Sequence, residues 1–557
     1  MGGEADGGGS TVVESELVPG DTAVLDFGTA VAVSGDLLVS TAPRSTIGGS
    51  VYAGAAQVYL RDPTSNQWLA QKQLVPHDSA ANDAFGLTTS ADGETVAVGA
   101  PNAQVDSVFQ QGAVYLFERN RGGADQWGEV VKLTDSSVGF EGHFGASVAL
   151  SGDLLVVGAT MPPYGGKVMI FERDRGGPDA WGSVATILDS DIGDGGLNEA
   201  FGSAVTIDGD LLLIGASMAD VSYYNENDGA AYLFTRDAVD RDRWSFVARL
   251  AAAEALACTG GATLADLARN YPDGLAAAQQ CARDYSRSDN DAFGGAVALK
   301  GDVAAVGAHC AEGGDSSATP IYCAGAVYVF RRDPATSQWT QEAKLASSPT
   351  GAFSYFGGSL ALASDLLLIG AHGASVDGKL AQGQAHVFQR DAVSGSWLDT
   401  QTLTASDGLS NDGFATSVTL SGLTMIAGAP GQQGGGGAVY LYQAPAPAPP
   451  APPPCPPLVS ATDTLQDGTT LTSSTGLVLA ASRGTLNAPA PLYIARCRHP
   501  PKASGTVPPP SALTTRWVSP VAASLRRLCI HSRCRCRCPK GSQPMGWRSL
   551  RWCRAQR

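Results

Sequence analysis

Phe144-Gly145-Ala146-Ser147-Val148-Ala149-Leu150-Ser151-Gly152-Asp153-Leu154-Leu155-Val156-Val157-Gly158-Ala159 holds two short apolar runs around a Ser-Gly-Asp turn. Glycine in such a turn supplies the positive φ that a tight hairpin needs. The chain continues through a loop to Gly165-Gly166 and a third run, Lys167-Val168-Met169-Ile170-Phe171. A polar Gly-Pro-rich turn follows, and Trp181 opens a fourth run ending at Ile187-Leu188. Four short strands joined by hairpins predict one antiparallel sheet, with no crossover helix.

The same pattern recurs along the chain. Phe27-Gly28, Phe85-Gly86, Phe144-Gly145, Phe201-Gly202, Phe293-Gly294, Phe356-Gly357 and the degenerate Phe414-Ala415 are spaced by 58, 59, 57, 92, 63 and 58 residues. A period of this size marks a repeat architecture. One small sheet cannot bury both faces, whereas seven arranged radially bury each against its neighbour. The expected fold is all-β, a seven-bladed propeller of four-stranded antiparallel blades over residues 12–443, after a flexible stretch at 1–11. The seventh repeat ends at Tyr440-Leu441-Tyr442 without a Trp-led fourth strand. Glu16-Leu17-Val18-Pro19-Gly20-Asp21 matches Gln73-Leu74-Val75-Pro76-His77-Asp78, the end of the fourth strand of repeat one. The N-terminal strand is therefore expected to complete the last blade and cover its edge.

Phe-Gly openings combined with Gly-Ala-Pro, intact at Gly99-Ala100-Pro101 and Gly428-Ala429-Pro430, resemble the FG-GAP repeat, the unit of the propeller at the head of integrin α chains. The resemblance implies ligand docking on the face built by loops between strands two and three and between blades. It departs at the calcium loop that some integrin repeats carry between strands one and two. Here that connection is a short turn such as Ser34-Gly35-Asp36, Ser151-Gly152-Asp153 or Asp208-Gly209-Asp210. A calcium ion needs six to eight oxygens, more than so short a turn offers. The repeats are closer to the calcium-free type of secreted bacterial and algal proteins, and no metal or other cofactor is expected.

Charge is unevenly spread. The formal net charge is −16, yet residues 496–557 hold 14 of the 37 basic residues and no acid, leaving 23 basic against 53 acidic residues elsewhere, a balance of −30. So acidic a propeller offers no footprint for nucleic acid. Residues 444–457 are a Pro/Ala run expected to act as a stiff spacer, 458–495 are Ser/Thr-rich, and 496–557 form a basic Cys/Arg/Pro-rich tail with no apolar period. That tail reads either as a basic arm or as a misjoined coding segment; the second reading is preferred. No stretch reaches transmembrane length. A monomeric propeller is expected.

Four cysteines fall in loops peculiar to blade five: Cys258 and Cys281 in the insertion at 251–288, and Cys310 and Cys323 between the second and third strands. Pairing within each set predicts two disulfides and an oxidising, extracellular or cell-surface compartment. The sequence Met1-Gly2-Gly3-Glu4-Ala5-Asp6 has no signal-peptide character. The insertion reads as two short helices; a Cys258–Cys281 bridge closing it is worth on the order of 3 kcal/mol. This cap is expected to break the sevenfold symmetry of the upper surface.

Several motifs invite functional readings. Trp68, Trp127, Trp181, Trp244, Trp339 and Trp397 recur in phase with the repeat and are read as packing residues. Arg61, Arg119, Arg173, Arg236, Arg332 and Arg390 close the third strands and are expected to pair locally. Asp189-Ser190-Asp191-Ile192-Gly193-Asp194-Gly195 looks like a calcium loop with one ligand displaced and is read as an acidic turn. His309 and His372 sit at equivalent places with no phased third ligand and are read as loop residues. Hydrolase, metalloprotease, nucleotide and dinucleotide signatures are missing. The leading expectation is a non-catalytic extracellular adhesion or recognition module for a protein or glycan, with a contact patch at Tyr223, Tyr224, Asn225, Glu226 and Asp228. One alternative is a polysaccharide hydrolase or lyase using Asp83, Asp191, Asp291 and Asp412. Another is a structural wall component.

Overall fold

The computed structural model describes residues 13–19, 24–160, 165–178, 180–192, 200–219, 229–252, 291–312, 321–347 and 351–443, plus four two-residue strands further on. Two compact units divide at Pro447 and Ala448. In the second, Asp463–Thr464 pairs with Thr470–Leu471, and Leu477–Val478 with Ala495–Arg496. The first unit is the seven-bladed propeller, every blade a four-stranded antiparallel sheet. In blade three the strands are Ser147–Ser151, Leu154–Ala159, Lys167–Glu172 and Gly182–Leu188, in that spatial order. The second and third strands are the apolar, buried pair, and the fourth alternates toward solvent. Ser151 pairs with Leu154, so the intervening turn has two residues, and Gly152 takes φ +58°.

The expected ring closure is present. Val13–Leu17 pairs antiparallel with Ala438–Gln443, with Leu17 opposite Val439. Leu74 faces Ala56 in blade one, the corresponding register position, so the sequence alignment of the two segments holds to the residue. The pairing of third with fourth strands carries a register shift in all six blades that take both from one repeat, for example between Ile170 and Phe171. Such bulges raise the local twist, which suits outer strands of a radial sheet.

The core lies between blades. One cluster joins Leu37, Val39 and Val58 of blade one to Val96, Val98 and Tyr115 of blade two. Another closes the ring, joining Ile426 and Val439 of blade seven to Phe27, Leu38 and Tyr59 of blade one. Phe85, Phe144, Phe201, Phe356 and Phe414 are fully buried. Each of the six tryptophans packs on one of these inter-blade clusters.

Ala415, after Phe414, has φ +65°, and the glycine after each of the other six phenylalanines has φ between +86° and +100°. Its N–H donates to the second strand of its own blade, as from Gly145 to the Gly158 carbonyl at 3.0 Å. Its own carbonyl accepts the hydroxyl of the preceding blade: Thr88 Oγ1 donates to Gly145 at 2.8 Å, Ser147 Oγ to Gly202 at 2.8 Å and Ser417 Oγ to Gly28 at 2.8 Å. The Phe-Gly element is thus the joint between blades.

The opposite, lower face is also linked from blade to blade. Gly93 N–H donates to Ser34 Oγ at 3.0 Å, Gly152 N–H to Asp92 at 2.6 Å and Gly301 N–H to Asp208 at 2.7 Å. Ser421 Oγ donates to the Gly35 carbonyl, joining blade seven to blade one. The short turns between strands one and two are therefore occupied as a structural collar.

The arginines ending the third strands pair locally. Arg61 meets Asp36 at 2.6 Å, Arg119 meets Glu94 at 3.2 Å and Arg332 meets Asp302 at 3.6 Å. Arg173 and Arg236 also reach back to Glu118 and Glu172 of the preceding blade. Glu342 concentrates this pattern, accepting from Arg331 Nε, Arg390 Nε and Nη2, and Trp397 Nε1. Burial pushes its carboxyl up, but the bonds from Arg390, Arg331 and Trp397 outweigh that and hold it below the usual value. Its contribution is therefore complete above the ordinary glutamate pKa and fades as pH falls through the depressed one. Glu342→Gln is expected to lower stability by about 2 kcal/mol at pH 7. Urea titration should show the gap from the parent shrinking toward pH 3; a gap independent of pH contradicts this account.

Candidate ligand-binding face

The upper face is built where the loop between strands two and three meets the loop entering the next blade. Gly54, Gly112, Gly229, Gly325, Gly383 and Gly437 open third strands at φ between +81° and +90°. Each lies directly under the next blade's phenylalanine: a Cβ on Gly112 would stand 2.2 Å from the Phe144 carbonyl oxygen and 2.4 Å from its nitrogen. No side chain fits there, so glycine is obligatory for two reasons, the close approach and the positive φ.

Three residues before that glycine run beside the incoming loop. Asn82, Ala84 and Phe85 donate backbone N–H to the Val51, Tyr52 and Ala53 carbonyls at 3.0–3.1 Å. Glu141, His143 and Phe144 donate likewise to Phe109, Gln110 and Gln111. Phe353, Tyr355 and Phe356 donate to Tyr322, Cys323 and Ala324, and Asn411, Gly413 and Phe414 to Leu380, Ala381 and Gln382. The residue before every phenylalanine is left-handed: Asp26, Ala84, His143, Ala200, Ala292, Tyr355 and Gly413 have φ between +49° and +62°. The middle loop residues Tyr52, Gln110, Cys323 and Ala381 are left-handed too, at +45° to +56°. For side-chain-bearing residues this conformation is strained and persists only when the surroundings over-determine it. Here the three successive hydrogen bonds do so.

This frame raises large apolar side chains into solvent. Val51, Phe109, Tyr322 and Leu380 occupy the same position, three before the glycine, and all are exposed, Leu380 at 68%. The incoming loops add Phe140 at 66%, Phe353 and Leu409. Phe109 and Phe140 stand with ring centroids 5.7 Å apart, tilted by 33°. Arg44 lies 5.2 Å above the exposed Tyr52 ring. Sequence reasoning did not single these residues out. The signal was available as a bulky apolar residue three before each third-strand glycine, but its identity changes from Val to Phe, Tyr and Leu.

The residues singled out from sequence fare differently. Tyr223, Tyr224, Asn225, Glu226 and Asp228 lie outside the described residues, as do Cys258, Cys281 and almost all of the 251–288 insertion. Cys310 and Cys323 form a disulfide at the base of blade five's upper loop. Asp83 and Asp412 are buried, and each carboxylate accepts the N–H three residues upstream, Ala80 at 2.8 Å and Leu409 at 2.5 Å. Burial raises the pKa of both, Asp83 and Asp412, against those hydrogen bonds. Asp191 does the same for Leu188 N–H at 2.9 Å, at a single 3-10 turn over Asp189–Asp191. These three carboxylates serve different inter-blade loops and shape the turns that present the upper face. The Gly193–Gly195 half of the calcium-like stretch lies outside the described residues. Among the described residues, no group of three or more His, Cys, Asp or Glu is placed to hold a metal ion, and no helix is long and apolar enough to cross a membrane.

Among solved structures the chain is similar to a 6-phosphogluconolactonase candidate from Bacteroides uniformis, at 10% identity and TM-score 0.40, covering 69% of this chain and 87% of that one. It is similar also to the periplasmic gluconolactonase PpgL of Pseudomonas aeruginosa, at 15% identity and TM-score 0.39, covering 68% and 86%. Saccharomyces cerevisiae Sqt1 matches at 9% identity and TM-score 0.36, covering 75% and 82%. Likeness at these values carries no argument about activity. No curated protein matches the sequence. The FG-GAP repeat model matches six times, at residues 68–117, 127–167, 181–234, 282–330, 339–388 and 397–442, together more than half of the chain. Most matches begin at the tryptophan of one blade's fourth strand and end in the next blade's third, so the sequence repeat is offset by one strand from the blade. That offset is what leaves the N-terminal strand to close the ring, and with motif, register and blade joints in agreement the chain belongs to the FG-GAP repeat family.

Proposed function

We propose that this protein is a non-catalytic extracellular binding module that recognises a protein or glycan ligand through the upper-face loops of its propeller. The observation that carries this reading is the recurrence of exposed apolar residues at one position of the repeat, Val51, Phe109, Tyr322 and Leu380, on a strained backbone frame. Exposed apolar side chains gathered on one face, on loops held by a rigid scaffold, are characteristic of interaction sites. The Cys310–Cys323 disulfide supports an oxidising compartment.

The test is a protein and glycan array probed with the whole chain and with a Phe109→Ala, Phe140→Ala double variant. Both side chains are exposed, so folding is expected to survive. Ligands of the parent should bind the variant at least tenfold more weakly, about 1.4 kcal/mol. Absence of any ligand, or equal binding by the variant, counts against the reading. Turnover of an arrayed polysaccharide would instead favour a hydrolase or lyase.

A further inference from the structure

A second cluster of rings lies at the junction of blades five and six, beside the disulfide. His309 follows the second strand of blade five (Val303–Ala308), and His372 follows the corresponding strand of blade six (Leu366–Ala371). Tyr355, in the loop entering blade six, contacts both. Its ring is parallel to His372, with centroids 5.1 Å apart and an interplanar angle of 6°. It lies 6.2 Å from His309, tilted by 53°. Each imidazole also rests on a glycine: a Cβ on Gly295 would stand 3.0 Å from the His309 ring, and one on Gly358 3.3 Å from His372.

The backbone ties these rings together. Tyr355 N–H donates to the Cys323 carbonyl at 3.0 Å, and Cys323 is disulfide-bonded to Cys310, the neighbour of His309. Phe353 N–H donates to the Tyr322 carbonyl at 2.8 Å. Cys323, Phe353 and Tyr355 all hold left-handed φ, at +45°, +57° and +53°. A strained segment is therefore kept in place by three backbone hydrogen bonds, from Phe353, Tyr355 and Phe356, by the Ser354 hydroxyl donating to the Ala324 carbonyl at 2.7 Å, and by the stacking of the Tyr355 ring.

We propose that the His309–Tyr355–His372 stack is a pH-sensitive latch that holds the 351–355 loop against blade five while both imidazoles are neutral and loosens it when they are protonated, the buried Phe356 remaining seated.

The sign comes from burial and from the mutual effect of the two imidazoles, not from the acids on the packed elements. The loop entering blade five contributes Asp291, whose backbone carbonyl accepts Cys310 N–H at 3.1 Å, and Glu312 follows the second strand. The loop entering blade six contributes Tyr355, which lies against both rings, and His309 is close enough to act electrostatically on His372. Among the described residues, neither imidazole is hydrogen-bonded to a carboxylate. Burial holds His309 below the ordinary histidine value. His372 is held down first by burial and then by the charge of His309. The Tyr355 face can offset one imidazolium by a cation–π contact. It cannot offset two, because the second charge repels the first. With both folded values depressed, the closed arrangement is complete above the ordinary histidine pKa of about 6.5. It is lost as pH falls through the lower folded values.

Hydrogen exchange of the full chain, corrected for intrinsic pH dependence, tests this without any ligand. Protection of the Phe353 and Tyr355 amides is expected to fall at least tenfold between pH 7.5 and 5, while amides of Leu154–Ala159 in blade three stay protected. In a His309→Gln, His372→Gln variant the fall should disappear. Flat protection in the parent, or an equal fall in the variant, overturns the proposal. Should the double variant fail to fold, NMR titration of the parent imidazoles decides the matter. Two unshifted titrations near the ordinary value overturn the latch, and two depressed, mutually coupled titrations support it. The single His372→Gln variant should then remove the coupling seen at His309.

Discussion

Gly112→Ala is expected to lower the stability of the propeller by roughly 4 kcal/mol or more, among the largest effects a single methyl group can have. Two causes add. The added Cβ meets Phe144 backbone at 2.2 and 2.4 Å, atoms that belong to the joint between blades two and three. The residue is also at φ +90°, outside the regions open to alanine. Relief requires the blades to part, which unseats Phe144 from its fully buried site and breaks its N–H bond to the Gln111 carbonyl at 2.9 Å. Gly152→Ala is the matched control. Gly152 has φ +58°, but nothing lies within 4 Å of its added Cβ. Only the left-handed penalty applies, about 1–2 kcal/mol. Urea denaturation of the two variants should separate them clearly. Equal losses would sink the close-approach account and leave backbone preference alone.

This contrast also marks how much the sequence disclosed. The period of Phe-Gly, the Ser-Gly turns and the N-terminal match to repeat one are carried by residue identity, because glycine and phenylalanine are chosen by sterics and burial. Blade number, strand order and ring closure were legible for that reason. The upper face was not. Its left-handed positions are filled by Asn82, Glu141, Phe353 and Asn411 in one row and by Tyr52, Gln110, Cys323 and Ala381 in another. Backbone hydrogen bonds set their conformation, so no residue type recurs to signal it. The exposed row Val51, Phe109, Tyr322 and Leu380 shares only bulk and apolarity, which an identity-based reading of repeats passes over. His309 and His372 were visible as an equivalent pair. What joins them is Tyr355, whose aromatic ring stands where other repeats have Ala84, His143 or Gly413.

Removing residues 1–17 is expected to have the other large effect. Five backbone pairs between Val13–Leu17 and Ala438–Gln443 are lost, and with them the cover of the last blade's edge. Tyr440 and Tyr442, fully or almost fully buried in the whole chain, sit on the strand left without its outer partner. Leu17 also leaves the cluster that joins blade seven to blade one, where Phe27, Leu38, Ile426 and Val439 meet. The contact between Glu14 and Ser406 Oγ at 2.7 Å goes as well. A ring differs from an open repeat array because its two ends stabilise each other; opening one joint weakens both terminal blades. The melting temperature should fall by roughly 10 °C or more. The bare edge is also a template for pairing with another chain, so the truncated protein should oligomerise in a concentration-dependent way. A synthetic peptide of residues 13–19 added in excess should reverse both effects by adding itself as the missing strand. The same peptide carrying Leu17→Asp should not, because its charge would have to enter the apolar joint opposite Val439. A truncated chain that stays monomeric and melts with the parent would show that three strands suffice for the seventh blade, and that the Phe27–Gly437 bridge, the Ser417–Gly28 and Ser421–Gly35 bonds and the remaining apolar joint close the ring.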